Sequence, residues 1–321
     1  MIRVNRRALL AAPALLALPA HAQTWPSRPI RIIVPFPPGG LVDVLARSIA
    51  QPLSAQLGQP VVVENRVGAG GNIGADVAAK SPPDGHVLLA TSMGPVAVNQ
   101  FIYRTMPYDT QTAFAPITLL ASTPKVMCVT NGRPWRSVQD VVAAAKAEPG
   151  RLTAGSAGAG TSLHLALELF KQATGTDIQH VPYRGAGPAL TDLVAGQIDL
   201  VIDNLPNILG QITGNQVRPL AVATPQRLPQ LPQVPTMAEA GIDFVFGTAF
   251  GLVAPAGTPE AIITRVAGLV RDALREPMIG GRLSEQGAIV GGGGPAEFAA
   301  LIAREKAQLE PVIRAANIRA E

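Results

Sequence analysis

Cysteine and aromatic side chains are scarce in this chain of 321 residues: Cys128 is its single cysteine, and Phe, Trp and Tyr together make up 4%. One thiol cannot form an intramolecular disulfide, so a cystine framework is excluded, and the neighbours Val126, Met127 and Val129 point to a buried strand thiol. So few aromatics argue against a sugar site built on ring stacking. Charged residues make up only 15%, and no Lys/Arg-rich run is interleaved with aromatics, so nucleic acid is not an expected partner. Beyond the first 22 residues no run is long and apolar enough for a transmembrane helix, so any membrane step is expected of another subunit. The His and Cys residues lack metal-ligand spacing and there is no P-loop. Gly68-Ala69-Gly70-Gly71-Asn72-Ile73 misses the dinucleotide fingerprint at its last position, and no cofactor is expected.

What is present begins with an export signature. Arg3, Arg6 and Arg7 form a positive n-region, residues 8–19 an apolar stretch broken by Pro13 and Pro19, and Ala20-His21-Ala22 a small-x-small cleavage site. Residues 1–22 are therefore expected to be a signal peptide and the mature chain periplasmic. The Arg6-Arg7 pair leaves Sec and twin-arginine export open. Removing these residues takes the formal net charge from +4 to +1, so the basic balance says little about partners. About 300 remaining residues suit two domains better than one core, and a 47% hydrophobic content fills both.

Short β-rich runs alternate with helical patterns: 30–36 then 41–57, 61–64 then 72–79, and 87–91 before a further helical stretch. The rhythm restarts with helices at 137–147, 162–173 and 188–195 and strands at 152–155, 178–182, 200–203 and 219–223. This is the pattern of βαβ units in an α/β fold with a largely parallel sheet. Two extended apolar segments without helical period, 115–129 and 244–255, are suited to crossing between two α/β lobes. The first lobe is then discontinuous, residues 23–122 plus 249–321, with 123–248 as the second. Helices at 259–275 and 295–316 complete the first lobe, the latter amphipathic through Phe298, Leu301, Ile302, Leu309 and Ile313. Gly280-Gly281 and residues 291–294 read as connectors.

Pro35-Phe36-Pro37-Pro38-Gly39-Gly40 closes a strand and opens a helix with two residues that lack Cβ. Backbone amides at such a helix entrance have no intrahelical acceptor and sit at the positive end of the dipole, so they suit a carboxylate or phosphate; the same segment is also a stiff βα turn. Asp43, in the first turn, matches the dipole or caps. Residues 155–162 repeat the arrangement in the second lobe, where Ser156, Thr161 and Ser162 supply hydroxyls and a plain Ser/Thr cap is the alternative. Ala154-Gly155-Ser156-Ala157-Gly158 is also a loose match to a hydrolase nucleophile elbow, but the helix begins too late and no acid and histidine follow in order. His164 and His180 read as hydrogen-bonding or packing residues. Asp203, at the end of the 200–203 strand, is either a turn residue or a partner for a ligand ammonium or a water. Lys125, between the crossing segments, reads as a solvated strand charge, with tuning of ligand choice as the alternative.

Several ordered motifs resemble the Bug (TctC-like) receptors of tripartite tricarboxylate transport systems. They include Trp25-Pro26, Pro29-Ile30, Val34 to Gly40 with Asp43, Val63-Glu64-Asn65-Arg66, Pro83-Asp84-Gly85, Gly155 to Leu165, Val181 to Gly185, Gly196 to Asp199, Asp203-Asn204, Val234-Pro235-Thr236, Glu239-Ala240-Gly241, Gly251-Leu252 and Gly257-Thr258-Pro259. The resemblance implies a type II periplasmic-binding-protein fold, two lobes joined by two crossing strands, and a ligand carboxylate held by the 36–40 and 156–161 loops. The expected ligand-binding set is Phe36, Pro38, Gly39, Gly40, Asp43, Ser92, Ser156, Gly158, Gly160, Thr161, Ser162, His164 and Asp203. Implied partners are a small carboxylate (an amino acid, a di- or tricarboxylate or an aromatic acid) and TctA/TctB-like integral membrane subunits. A signalling receptor is the alternative partner and a secreted serine hydrolase the third reading; the chain is expected to be a monomer and not an enzyme. Where the family pattern carries tryptophan, this chain has Ala249 before Phe250-Gly251, a change that reshapes the cleft.

Overall fold

The computed structural model describes residues 25–319, so the expected signal segment lies outside the described residues. The first unit runs β1 (Ile30–Val34), α1 (Leu41–Leu57), β2 (Val61–Asn65), α2 (Asn72–Ala79), β3 (Val87–Ser92) and α3 (Asn99–Ile102). A 17-residue strand, β4 (Phe114–Thr130), leads into α4 (Val138–Ala147), β5 (Thr153–Ser156), α5 (Ser162–Thr174), β6 (Gln179–Pro182), α6 (Ala186–Val194), β7 (Leu200–Asn204), α7 (Leu205–Thr213) and β8 (Val217–Val222). The chain returns through β9 (Gly247–Pro255) to α8 (Glu260–Arg275), α9 (Arg282–Glu285), β10 (Ile289–Val290) and α10 (Pro295–Ala315).

Local chemistry explains the element ends. In α1, Val42, Leu45, Ala46, Ile49, Leu53 and Leu57 are buried at helical spacing. Gly58, at φ 67°, stops the helix and donates its N–H to the Ser54 carbonyl. Ser137 and Asp140 close a reciprocal capping box on α4.

The strands form one mixed sheet in the order β2-β1-β3-β9-β4-β7-β5-β6, with β8 and β10 also pairing with β4. Between these strands, parallel pairing is confined to β1 with β2 and β3, and β5 with β6 and β7, with one isolated parallel bridge from Val222 at the end of β8 to Thr236. The expected largely parallel sheet is corrected here for a topological reason. β4 carries the chain out to the second lobe and β9 brings it back, so the two run antiparallel, from Phe114 opposite Pro255 to Pro124 opposite Gly247. At the next residue β4 changes partners, with Lys125 opposite Asn204 of β7 and Val126 opposite Val222 of β8. Pro124, which has no N–H to donate, stands where one ladder gives way to another. Short elements that the sequence pattern missed, α9 and β10, cap this region, and the amides of Gly291 and Gly292 continue the contact to Leu120 and Leu119.

The core has an apolar cluster on each lobe's outer layer and a third that runs through both, from Ile33 and Leu89 to Met127, Phe170, Phe246 and Phe298. Cys128 is a buried free thiol of β4. The end of the Phe298 ring of α10 reaches β9 at Gly251, where a Cβ would come within 1.9 Å of the ring. Gly251→Ala is therefore expected to destabilise by at least about 1–3 kcal/mol through overpacking, and Phe298→Ala by about 3–5 kcal/mol through a cavity. Urea unfolding checks both; midpoints equal to wild type would contradict this packing.

Candidate functional site

A cavity of about 580 Å³ lies between the lobes. Phe36, Gly40, Leu41, Val42, Gly70, Ser92 and Asn99 form one wall, residues 159–163 with Asn204 and Asn207 the other, and residues 246–250 of the returning segment the floor. Glu305 and Leu309 of α10 close one side. Both helix entrances singled out from the sequence thus meet on one cavity. The first amides of α1 (Leu41, Val42) and of α5 (Ser162, Leu163) have no intrahelical acceptor and stand at positive dipole ends, so the cavity has two places prepared for negative charge without a basic side chain at its surface.

The first entrance is held from behind. Gly39, at φ 80°, makes the left-handed turn that glycine allows, and its N–H donates to Asp43 Oδ2 at 2.9 Å. Asp43 also accepts from Arg47 (2.9 Å) and from the Asn65 amide (2.9 Å), which in turn donates to the Phe36 carbonyl at 3.0 Å. The Arg47 hydrogen bond, with the Gly39 and Asn65 bonds, holds the Asp43 carboxyl down at about 2 despite its burial. Asp43, Pro38 and Gly39 shape this loop without lining the cavity; Phe36 and Gly40 do line it.

The second entrance has a histidine backing. Ser156 is fully buried, its Oγ accepts from the Gly158 N–H at 3.1 Å, and it lies 2.6 Å from His180 Nε2. His180 stacks on His164 with ring centroids 3.8 Å apart, and His164 Nδ1 accepts the Gly160 N–H at 3.1 Å. Burial holds both imidazoles down at about 4, so both are neutral near pH 7. Ser156, Gly158 and His164 therefore fix the loop from inside, while Gly160, Thr161 and Ser162 face the cavity. Asp203 also sits behind the wall: its Oδ1 accepts from the Asn204 N–H (2.6 Å) and from Asn207 (2.9 Å), and burial raises its carboxyl.

Lys125 corrects its sequence reading as a solvated charge. It has no exposed surface, because β7, β8, β9 and α5 close around this point of β4. Its Nζ donates to Asn204 Oδ1 (2.8 Å), Thr248 Oγ1 (3.0 Å) and Ser162 Oγ (3.2 Å), and lies 5.8 Å from the Phe246 ring centroid. Burial pulls the ammonium down to about 7. Glu305, also missed, has its carboxyl pushed up to about 7 by burial. The available signal was a lysine inside an apolar β-rich run with no polar alternation. Asn99, Asn204 and Thr248 gave no such signal. Among the described residues no group of three or more His, Cys, Asp or Glu could hold a metal ion.

Two α/β lobes joined by antiparallel crossing strands, with helix entrances meeting on the cleft, define a solute-binding-protein fold. The model of the tripartite tricarboxylate transporter family receptor matches residues 45–318, and the chain belongs to that family. It is 40% identical over 320 residues to the UPF0065 protein in the tcbD-tcbE intergenic region of Pseudomonas sp. (strain P51), covering 98% of this chain and 95% of that one. Protein BugT of Bordetella pertussis is 40% identical over 279 residues, 86% of each chain. Among solved structures, R. palustris Rpa4515 with adipate superposes with a TM-score of 0.80 at 40% identity, covering 92% of this chain and all of that one. MatC of Rhodopseudomonas palustris with bound malate gives 0.76 at 31%, covering 90% and 99%.

The two neutral histidines make stability depend on acid. Their folded pKa lies below the unfolded value of about 6.5, so the unfolded chain takes up protons first, and stability present above pH 6.5 is lost as pH falls toward 4. Denaturant unfolding is expected to show a loss of about 1–2 kcal/mol per histidine between about pH 7 and 5. The double variant His164→Gln/His180→Gln should flatten that slope; an unchanged slope would contradict the assignment.

Proposed function

We propose that this chain is an extracytoplasmic receptor that captures a small carboxylate in the cleft and delivers it to the integral membrane subunits of a tripartite carboxylate transporter. The observation that carries the reading is the convergence of the α1 and α5 entrances on one cavity. Adipate and malate in the relatives' structures support the carboxylate class, and the family supports delivery to a transporter. Among the described residues no helix is long and apolar enough to cross a membrane, in keeping with a periplasmic partner of separate membrane subunits. Residues 23–122 with 249–321, and 123–248, act as the two lobes, closing on the ligand about Pro124 and Gly247. The ligand contacts are Phe36, Gly40, Ser92, Gly160, Thr161 and Ser162, with Asp43, Ser156, His164 and Asp203 holding the walls. The Ser156 to His180 contact favours a hydrolase only if Ser156 can reach substrate, and its hydroxyl is fully buried behind the loop.

Adipate or malate at about one hundred times its dissociation constant is expected to add roughly 2.7 kcal/mol to stability, read as a rise in melting temperature. Gly40 has φ −69°, which any residue adopts, and a Cβ there would come 3.3 Å from the Pro37 carbonyl oxygen, so Gly40→Val fills the cavity at the cost of a small shift in the turn. That variant should stay folded, melt somewhat below wild type without ligand because valine is a poor N-cap, and bind at least about tenfold more weakly, a loss of about 1.4 kcal/mol. No stabilisation by any member of a panel of di-, tri- and aromatic carboxylates would overturn the reading. Receptor-dependent uptake in vesicles carrying the membrane subunits tests delivery.

A further inference from the structure

Lys125 is the one fully buried lysine or arginine among the described residues, and its three bonding partners all line the cavity. An ammonium has three protons, and Asn204, Thr248 and Ser162, drawn from β7, β9 and α5, accept all three. The consequence falls on Ser162. The single proton of the Thr248 hydroxyl has two acceptors at 2.9 Å, Ser162 Oγ and Asn204 Oδ1. Asn204 Oδ1 already accepts from Lys125 and from Thr123 (3.0 Å), so Ser162 is the acceptor left for it. With Lys125 this uses both lone pairs of Ser162 and leaves its own O–H to donate. Ser162 is the first residue of α5, where the free amides already face the cavity. Hydroxyl, amides and dipole then all present positive charge at one spot, with a cation directly behind in a region closed to water.

We propose that Lys125 is the positioning and specificity residue of this cavity: it locks Ser162 as a hydrogen-bond donor and places a buried positive charge behind the α5 entrance, so that this end of the ligand must be an anion. The inference rests on the carboxylate-receptor reading above. The charge is responsive to pH. Burial draws the ammonium down, while the buried Asp203 carboxyl on β7 and Glu305 on α10 favour its protonated form. A bound carboxylate raises the lysine's pKa, so binding is tight below about pH 7 and weakens above it, by up to about tenfold per pH unit. Glu305 gains negative charge over the same range and acts in the same direction.

The test is calorimetric titration of adipate and of its neutral counterpart, adipamide, at about pH 6 and about pH 8. Wild type, Lys125→Met and Glu305→Gln are compared, each checked for folding by its melting curve. Lys125→Met is expected to bind adipate at least about tenfold more weakly at the lower pH, to keep only the shallower pH dependence that belongs to Glu305, and to narrow the preference for adipate over adipamide. Glu305→Gln should keep a pH dependence, the part that belongs to Lys125. Because a neutral side chain at this position also disturbs three partners, wild-type protein labelled with 13C at the lysine ε-carbon supplies a second measurement: one lysine should titrate near pH 7 and move upward when adipate is added. A folded Lys125→Met with unchanged adipate affinity and pH profile, or a lysine titration that adipate leaves in place, would overturn the proposal and leave the receptor reading standing. Failure of adipate and of the wider carboxylate panel to bind wild type would overturn both.

Discussion

One strand, β4, belongs to both lobes, and everything else in the molecule is arranged around that constraint. Its first part lies against β9 and its second between β7 and β8, with Pro124 at the change of partners. The β4–β9 and β4–β8 ladders are interrupted only by local register shifts, and the lobes are tied by backbone hydrogen bonds and by the apolar cluster that runs from Ile33 to Phe298. The cavity sits where they meet, and its floor is the returning strand itself. A ligand there touches both lobes and the connection between them, which is the condition for closure to depend on binding.

The walls show how little side-chain charge such a site requires at its surface. Each entrance is a helix start whose amides point at the cavity, and each is fixed from behind by groups spent on the loop. Asp43, Arg47 and Asn65 hold the first. Ser156, His164 and His180 hold the second. Backbone donors recognise a carboxylate without naming the rest of the molecule, so selectivity for the body of the ligand falls to the apolar lining, including Met93, Ile102 and Phe250, and to Glu305.

Much of this was legible in the sequence. The helix at 41–57 and the alternation of strands with helices are local patterns, and glycine at a helix entrance has a local reason. The two long extended segments were visible as crossings because they lack helical period. What the sequence could not show depends on packing from elsewhere in the chain. Lys125 looked solvated because nothing in the residues around it reveals that α5 and three other strands cover it. Ser156, His164 and Asp203 have the right neighbours for ligand contacts, and only the fold shows them turned to the back of the wall. Glu305, distant in sequence from both loops, reaches the cavity because α10 packs back across α5. The parallel sheet was misjudged because strand patterning carries no direction.

The central claim is that a carboxylate is held by the amides opening α1 and α5. Amide 15N–1H spectra recorded during a titration with adipate test it most directly, since a hydrogen bond to a carboxylate shifts the proton of the donating amide downfield. The account predicts saturable downfield shifts at Leu41 and Val42 in one lobe and at Ser162 and Leu163 in the other, with a common affinity. Binding that left the amides of either pair unmoved would contradict it.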